Sequence, residues 1–253
     1  MIFQYLSDLH LEFYNGNISK VQRKFKITAN NKIGDILLVA GDIGNPLHTT
    51  YKTFLTDMSL TFEHVFVTTG NHEYYKIPMT MNDIDSNCRE ICRSMPHDNV
   101  SFLQNEVYCI KDNIKIFGGT FWSHIPEKSQ SIVSNSINDY KQIYEFTPIK
   151  SNELHNIAVT KLTNEIENSE LTTKWIVMSH HMPLYNLIDI KYRSLDHINS
   201  AFATDIQIAK DNRIKAWVYG HTHTPRQDEK YYCNPIGYPG ENKKIDLTKH
   251  FVL

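Results

Sequence analysis

The sequence predicts an α/β fold, most economically a single domain spanning residues 1–253. Three observations lead there. Short apolar runs of strand length alternate with longer stretches of helical periodicity along the chain. The run Ile36-Leu37-Leu38-Val39-Ala40 is apolar without interruption, as expected of a strand buried on both faces. Several strand-like runs end directly on polar residues rather than on hairpin turns, the pattern of sheets that collect a site at their carboxyl ends.

Taken in order, the strand candidates are 2–6, 36–40, 65–67, 106–110, 114–118, 174–179, 215–219 and 230–234. A helix is predicted over 79–95, where Met81, Ile84, Cys88, Ile91, Cys92 and Met95 form one apolar stripe. A second is predicted over 151–167, where Leu154, Ile157, Ala158, Leu162 and Ile166 share a face, with Thr147-Pro148 as the break before it. The polar stretches 123–150 and 182–204 read as loop-rich insertions. No repeat or Pro/Gly-rich linker divides the chain.

Composition excludes several classes. With 41% apolar and 11% aromatic residues, the chain has material for a sizeable core. Its 26 Lys+Arg against 28 Asp+Glu lack the basic footprint of an obligate nucleic-acid binder. The pairs Lys24-Lys26 and Lys243-Lys244 are short and read as solvated faces. No apolar run approaches the roughly 18 residues of a membrane span. Four cysteines do not make a disulfide framework, and Cys88 and Cys92 on an apolar stripe read as core thiols rather than a metal pair. Residues 1–10 lack a basic region and a long apolar segment, so no signal peptide is expected and a cytoplasmic, reducing setting is. What stands out is 13 histidines.

Their placement carries the chemistry. Five segments follow strand-like runs: Ser7-Asp8-Leu9-His10, Gly41-Asp42-Ile43, Gly70-Asn71-His72-Glu73, Ser179-His180-His181-Met182-Pro183 and Gly220-His221-Thr222-His223. Asp8 and His10, two apart on an extended strand end, point to one side, and so do His221 and His223. Two Asp, one Asn and four His are too many ligands for one tetrahedral zinc. They suit two divalent transition metals about 3.5–4 Å apart with a bridging carboxylate. Only two carboxylates then face a formal charge near +4, so the site favours an anionic phosphate.

This array resembles the calcineurin-like metallophosphoesterases: Asp-x-His, Gly-Asp, Gly-Asn-His-Glu, His-His-x-Pro and Gly-His-x-His, in family order from residue 7 to 223. The resemblance implies a four-layer α/β/β/α sandwich of two mixed β-sheets flanked by helices. It also implies a metal-dependent phosphoric ester hydrolase with two divalent ions, Mn, Fe or Zn. Asp8, His10 and His223 would ligate the first ion, and Asn71, His180 and His221 the second. Asp42 would bridge them, and a metal-bridging hydroxide would attack phosphorus. His72 would be the catalytic non-ligand histidine, with Asn71 and His181 beside it contacting substrate. Glu73 would hydrogen-bond structurally, turned away from the metals.

The chain departs from the Ser/Thr protein phosphatases, which carry Asp-Arg-Gly where it reads Asn45-Pro46 after Gly41-Asp42-Ile43-Gly44. The phosphate-gripping arginine is missing, and Asn45 takes the place of a carboxylate that orients the catalytic histidine. The chain looks instead like short bacterial-type phosphoesterases with Gly118-Gly119-Thr120-x-Trp122, Asn138-Asp139-Tyr140 and Cys233-Asn234-Pro235-x-Gly237-Tyr238. Those secondary motifs say little about chemistry by themselves. Trp122, His124, Tyr185 and Arg226 are pocket candidates, Trp122 equally a core aromatic. The expected substrate is a small phosphomonoester or phosphodiester, nucleotides among them, with a metal-dependent nuclease or a non-catalytic, metal-poor scaffold as competing readings.

Overall fold

The computed structural model describes residues 1–28, 30–111, 113–242 and 245–253; Lys243-Lys244 lie outside them. The elements run β1 (Ile2–Leu6), α1 (Ile18–Lys24), β2 (Ile36–Ala40), α2 (Thr49–Thr61), β3 (His64–Thr68), α3 (Met81–Arg93), β4 (Val100–Phe102), β5 (Glu106–Lys111) and β6 (Ile114–Gly118). There follow α4 (Glu127–Ser136), α5 (Asp139–Gln142), α6 (Pro148–Glu167), β7 (Lys174–Met178), α7 (Asp196–Asn199), β8 (Ile214–Tyr219), β9 (Arg226–Asp228), β10 (Tyr231–Cys233) and β11 (His250–Val252). Two sheets form, in strand order β11-β1-β2-β3-β4 and β5-β6-β7-β8-β10-β9. Both are mixed. β11 pairs antiparallel with β1, and β5 and β9 close the second sheet antiparallel, around otherwise parallel neighbours.

Side-chain alternation explains the layers. In β2, Ile36, Leu38 and Ala40 join the core between the sheets, while Leu37 and Val39 face the helices. In β7, Ile176 and Met178 join the same inter-sheet core, and Trp175 and Val177 face α6 on the outside. Uninterrupted apolar strands are therefore required, because each is covered on both faces. The result is a sandwich of two mixed sheets flanked by helices, as expected.

Several elements depart from the sequence reading, among them α1, β4, β9 and β11, which it did not predict. The stretch 123–150 holds two helices rather than loop; α4 is rich in Ser and Asn and buries only Val133, so its periodicity is faint. The helix α2 buries Tyr51, Phe54, Leu55 and Met58 at helical spacing, but its threonines dilute the pattern. The segment 182–204 is mostly short 3₁₀ turns, close to expectation. Among the described residues, no helix is long and apolar enough to cross a membrane.

Candidate metal centre

The loops after β1, β2, β3, β7 and β8 leave the carboxyl ends of their strands on one side of the sandwich. Their backbones interlock. Asp8 N–H donates to Gly41 O at 3.0 Å, His10 N–H to Asp42 O at 3.0 Å, and His221 N–H to the Asp8 carboxylate at 2.9 Å. Space is tight enough to demand glycine. A Cβ on Gly70 would stand 2.2 Å from Asp42 Oδ1, and one on Gly220 2.7 Å from Asp8 Oδ2.

Five ligand-type residues adopt left-handed backbone: Asp8 (φ 55°), His10 (51°), Asp42 (53°), His221 (72°) and His223 (50°). Asp8 and His10 therefore do not sit on an extended strand end. Each, like His221 and His223, lies in left-handed loop backbone beyond a strand end, and the amides of Asp8, His10 and His221 make the bonds above. Such a conformation costs about 1–3 kcal/mol per non-glycine residue and persists only where surrounding bonds over-determine it.

Asp42 is central. Its Oδ1 accepts the His72 amide at 2.8 Å, and its Oδ2 lies 3.3 Å from His180 Nε2 and 3.7 Å from His10 Nε2. On one side stand Asp8, His10 and His223, with His223 Nε2 3.4 Å from Asp8 Oδ1 and 2.9 Å from His10 Nε2. On the other, His180 Nε2 lies 3.1 Å from Asn71 Oδ1, and the His221 ring packs 5.0 Å from that of His180.

The donor set fits cations, for a reason that lies in the outward-facing nitrogens. Carboxylates occupy His10 Nδ1 (Glu12, 3.2 Å) and His223 Nδ1 (Glu241, 2.6 Å), and the Ala40 carbonyl occupies His180 Nδ1 at 2.9 Å. Protons placed on those three atoms leave the inward Nε2 atoms as lone pairs facing each other and the Asp8 and Asp42 carboxylates. Only a positive species relieves that crowding. Accordingly, burial opposes protonation of His180, yet Asp42 and Asp8 carry its pKa up to about 10; burial likewise opposes protonation of His223, which Asp8 and Glu241 raise to about 9. The Nε2 of His221 is buried with no hydrogen-bond partner, a further unsatisfied lone pair or N–H beside this cage.

His72 lies at the cavity, its ring 4.4 Å from that of His10. Its Nδ1 meets Glu12 Oε1 at 2.8 Å, and its Nε2 stands 3.2 Å from the Tyr238 hydroxyl. Burial disfavours the imidazolium, but Asp42 and Glu12 outweigh it and raise the His72 pKa. Asn45, which stands where the protein phosphatases carry an orienting carboxylate, does not reach His72. The Asn45 side chain caps its own turn by accepting Leu47 N–H at 2.9 Å, and the carboxylate at His72 comes from Glu12. Glu73 accepts backbone N–H bonds from Asp42, Ile43, Gly44 and Gly70, clamping two ligand loops together.

A cavity of about 360 Å³ opens over this cluster, lined by Asp42, Asn71, His72, His221 and His223 among others. His181 does not line it; buried, it packs 4.3 Å behind the His221 ring and 5.1 Å from Trp122. Trp122 is a core aromatic against Phe146, and His124, Tyr185 and Arg226 also lie outside the lining, Arg226 pairing with Asp228. Sequence reasoning missed Glu12, Tyr75, Asp139, Tyr238 and Glu241 as site residues. The Asn71 amide donates to Asp139 Oδ1 at 2.9 Å and to the Tyr75 hydroxyl at 2.9 Å, which turns its carbonyl oxygen toward His180. Asp139 and Tyr238 belong to the secondary motifs Asn138-Asp139-Tyr140 and Cys233-Asn234-Pro235-x-Gly237-Tyr238, so the signal was present without a role attached.

Comparison with known proteins agrees with this geometry. An uncharacterized protein of Acanthamoeba polyphaga mimivirus is 31% identical over 241 residues, covering 88% of this chain and 84% of that one. The crystal structure of phosphopantetheinyl hydrolase from Mycobacterium tuberculosis superposes with a TM-score of 0.70 at 18% identity, over 97% of this chain and 93% of that one. The family model for calcineurin-like phosphoesterases matches residues 3–225. With the family's match spanning most of both sheets and every loop of the cage, this chain belongs to the calcineurin-like phosphoesterases, a family of metal-dependent hydrolases.

Proposed function

We propose that this chain hydrolyses small phosphomonoesters or phosphodiesters, nucleotides among them, with two divalent transition metal ions. Asp8, His10 and His223 would hold one ion, Asn71, His180 and His221 the other, and Asp42 would serve both. The observation that carries this reading is the 2.9 Å approach of two imidazole Nε2 atoms whose Nδ1 atoms face carboxylates. Bound there, the ions supply Lewis-acid stabilisation of phosphoryl charge and lower the pKa of water.

The chain's own groups do the rest. Asn71 and His72 face the cavity where the phosphate would sit. Glu12 fixes the His72 ring through Nδ1, so that Nε2 presents its proton to the departing oxygen. The Tyr238 hydroxyl, beside that same Nε2, gives the proton a place to hydrogen-bond until substrate arrives. Glu73 and the interlocked amides hold the ligands in place against the strain of their turns.

The test is a screen of monoesters and diesters, cyclic nucleotides and a phosphopantetheinyl diester included, with Mn²⁺ supplied. The family neighbour named for phosphopantetheinyl hydrolysis is the reason for that last arm. Metal-dependent release of alcohol or phosphate is expected. Turnover that persists in a verified metal-free preparation, or its absence across all esters and metals, would overturn the reading.

A further inference from the structure

The cavity above the cage has unlike linings, with polar Ser136, Asn138 and Asn199 also on its surface. One part is the ligand cluster. Another is an apolar wall built by Met182, Ile188, Tyr192, Leu195, Ile198 and Phe202, all from the segment between β7 and β8. These side chains are not all consumed by the core. Tyr192 and Leu195 each remain 38% exposed, and Ile198 and Phe202 are half-buried. The wall joins the cage directly, since the Phe202 ring packs 5.0 Å from that of His221. A ligand whose phosphate sits at the cage has this wall within reach of its organic group. The volume, about 360 Å³, lies at the lower end of the range for small-molecule pockets.

We infer that the segment 182–202 forms a binding site for the organic half of the substrate, and that this half is an apolar or aromatic group carrying no charge next to the ester. The inference rests on the phosphoesterase reading for the position of the phosphate. An anionic group on this wall would lose its water with no Lys or Arg among the described lining residues to pair with it, whereas an apolar group gains by leaving water.

The experiment measures binding apart from turnover. Methylphosphonate, benzylphosphonate, 1-naphthylmethylphosphonate and the anionic 3-phosphonopropionate are titrated by calorimetry into Mn²⁺-loaded protein. Affinity should rise at least about tenfold from the methyl to the naphthylmethyl compound, as burial of several apolar carbons dictates, and should not rise for 3-phosphonopropionate. Leu195→Asp and the double variant Tyr192→Ser/Leu195→Ser should each remove at least about fivefold of that gradient. Leu171→Asp, on an 87% exposed residue outside the cavity, should leave it unchanged. Equal affinities along the series, a tighter anionic probe, a gradient that survives both wall variants, or no binding at all would overturn the inference. Hydrolysis of 4-nitrophenyl phosphate, followed in parallel, separates the two proposals. Turnover with a flat gradient removes the apolar site and keeps the phosphoesterase; a steep gradient without turnover of any ester does the reverse.

Discussion

The two halves of the cage are held by different chemistry. Around Asp8, His10 and His223 the supporting groups are acidic: Glu12 on His10 and Glu241 on His223. Around Asn71, His180 and His221 they are largely neutral: the Ala40 carbonyl on His180, and the Tyr75 hydroxyl with buried Asp139 on Asn71. A carboxylate behind an imidazole makes it a more basic ligand and fixes its tautomer more firmly than a carbonyl does. On the proposed two-ion reading, the first half should therefore hold its ion more tightly and the second exchange it more freely. His72 is tied to the first half as well, because Glu12 Oε1 serves both its Nδ1 and that of His10.

The largest expected effect ignores the difference between the halves. Asp42→Ala removes the carboxylate that both share, so turnover should fall at least about 10³-fold, given that ion stabilisation contributes several kcal/mol. Elemental analysis should show both ions depleted; loss of one only would mean that Asp42 belongs to a single half. Next comes His72→Ala. It should keep both ions yet lose about 10²–10⁴-fold in kcat on alkyl esters, and much less on 4-nitrophenyl phosphate. Equal losses on both esters would assign His72 to phosphate stabilisation rather than proton donation.

Two further substitutions probe the asymmetry itself. Glu241→Gln should weaken the tighter of the two Mn²⁺ binding events by about 10–100-fold, the usual cost of losing a partner behind a metal-bound histidine. The Asn71 support is the smaller contribution. Asp139→Asn lets the amide of Asn71 turn over, and should weaken the looser event by about tenfold. If either variant shifts both events equally, the halves are one coupled site and the comparison fails.

How much of this was legible follows chain distance. The ligand-type residues sit in short motifs, and each motif follows a strand whose apolar run is itself visible. Several supporting contacts come from afar: Glu12 reaches across 60 positions to His72, Asp139 across 68 to Asn71, and Tyr238 across 166 to His72. Nothing in local periodicity pairs such residues. That is why an amide at Asn45 does not reveal that Glu12 supplies the acid at His72, and why adjacency to His180 does not reveal that His181 lies behind His221 and away from the cavity. The same holds for fold. Strands buried on two faces announce themselves, whereas α4, with one fully buried side chain, does not.

By itself the sequence determined much of the alternation of strands and helices, and which Asp, Asn and His residues follow those strands, and in what order. These depend on side-chain type at short spacing, and chemistry at that range is written locally. Only the tertiary structure decided which atoms of those residues face inward, which acid stands behind which imidazole, and where the apolar wall lies. Those depend on left-handed turns and on contacts between segments distant in the chain, and such geometry exists only once the two sheets have packed.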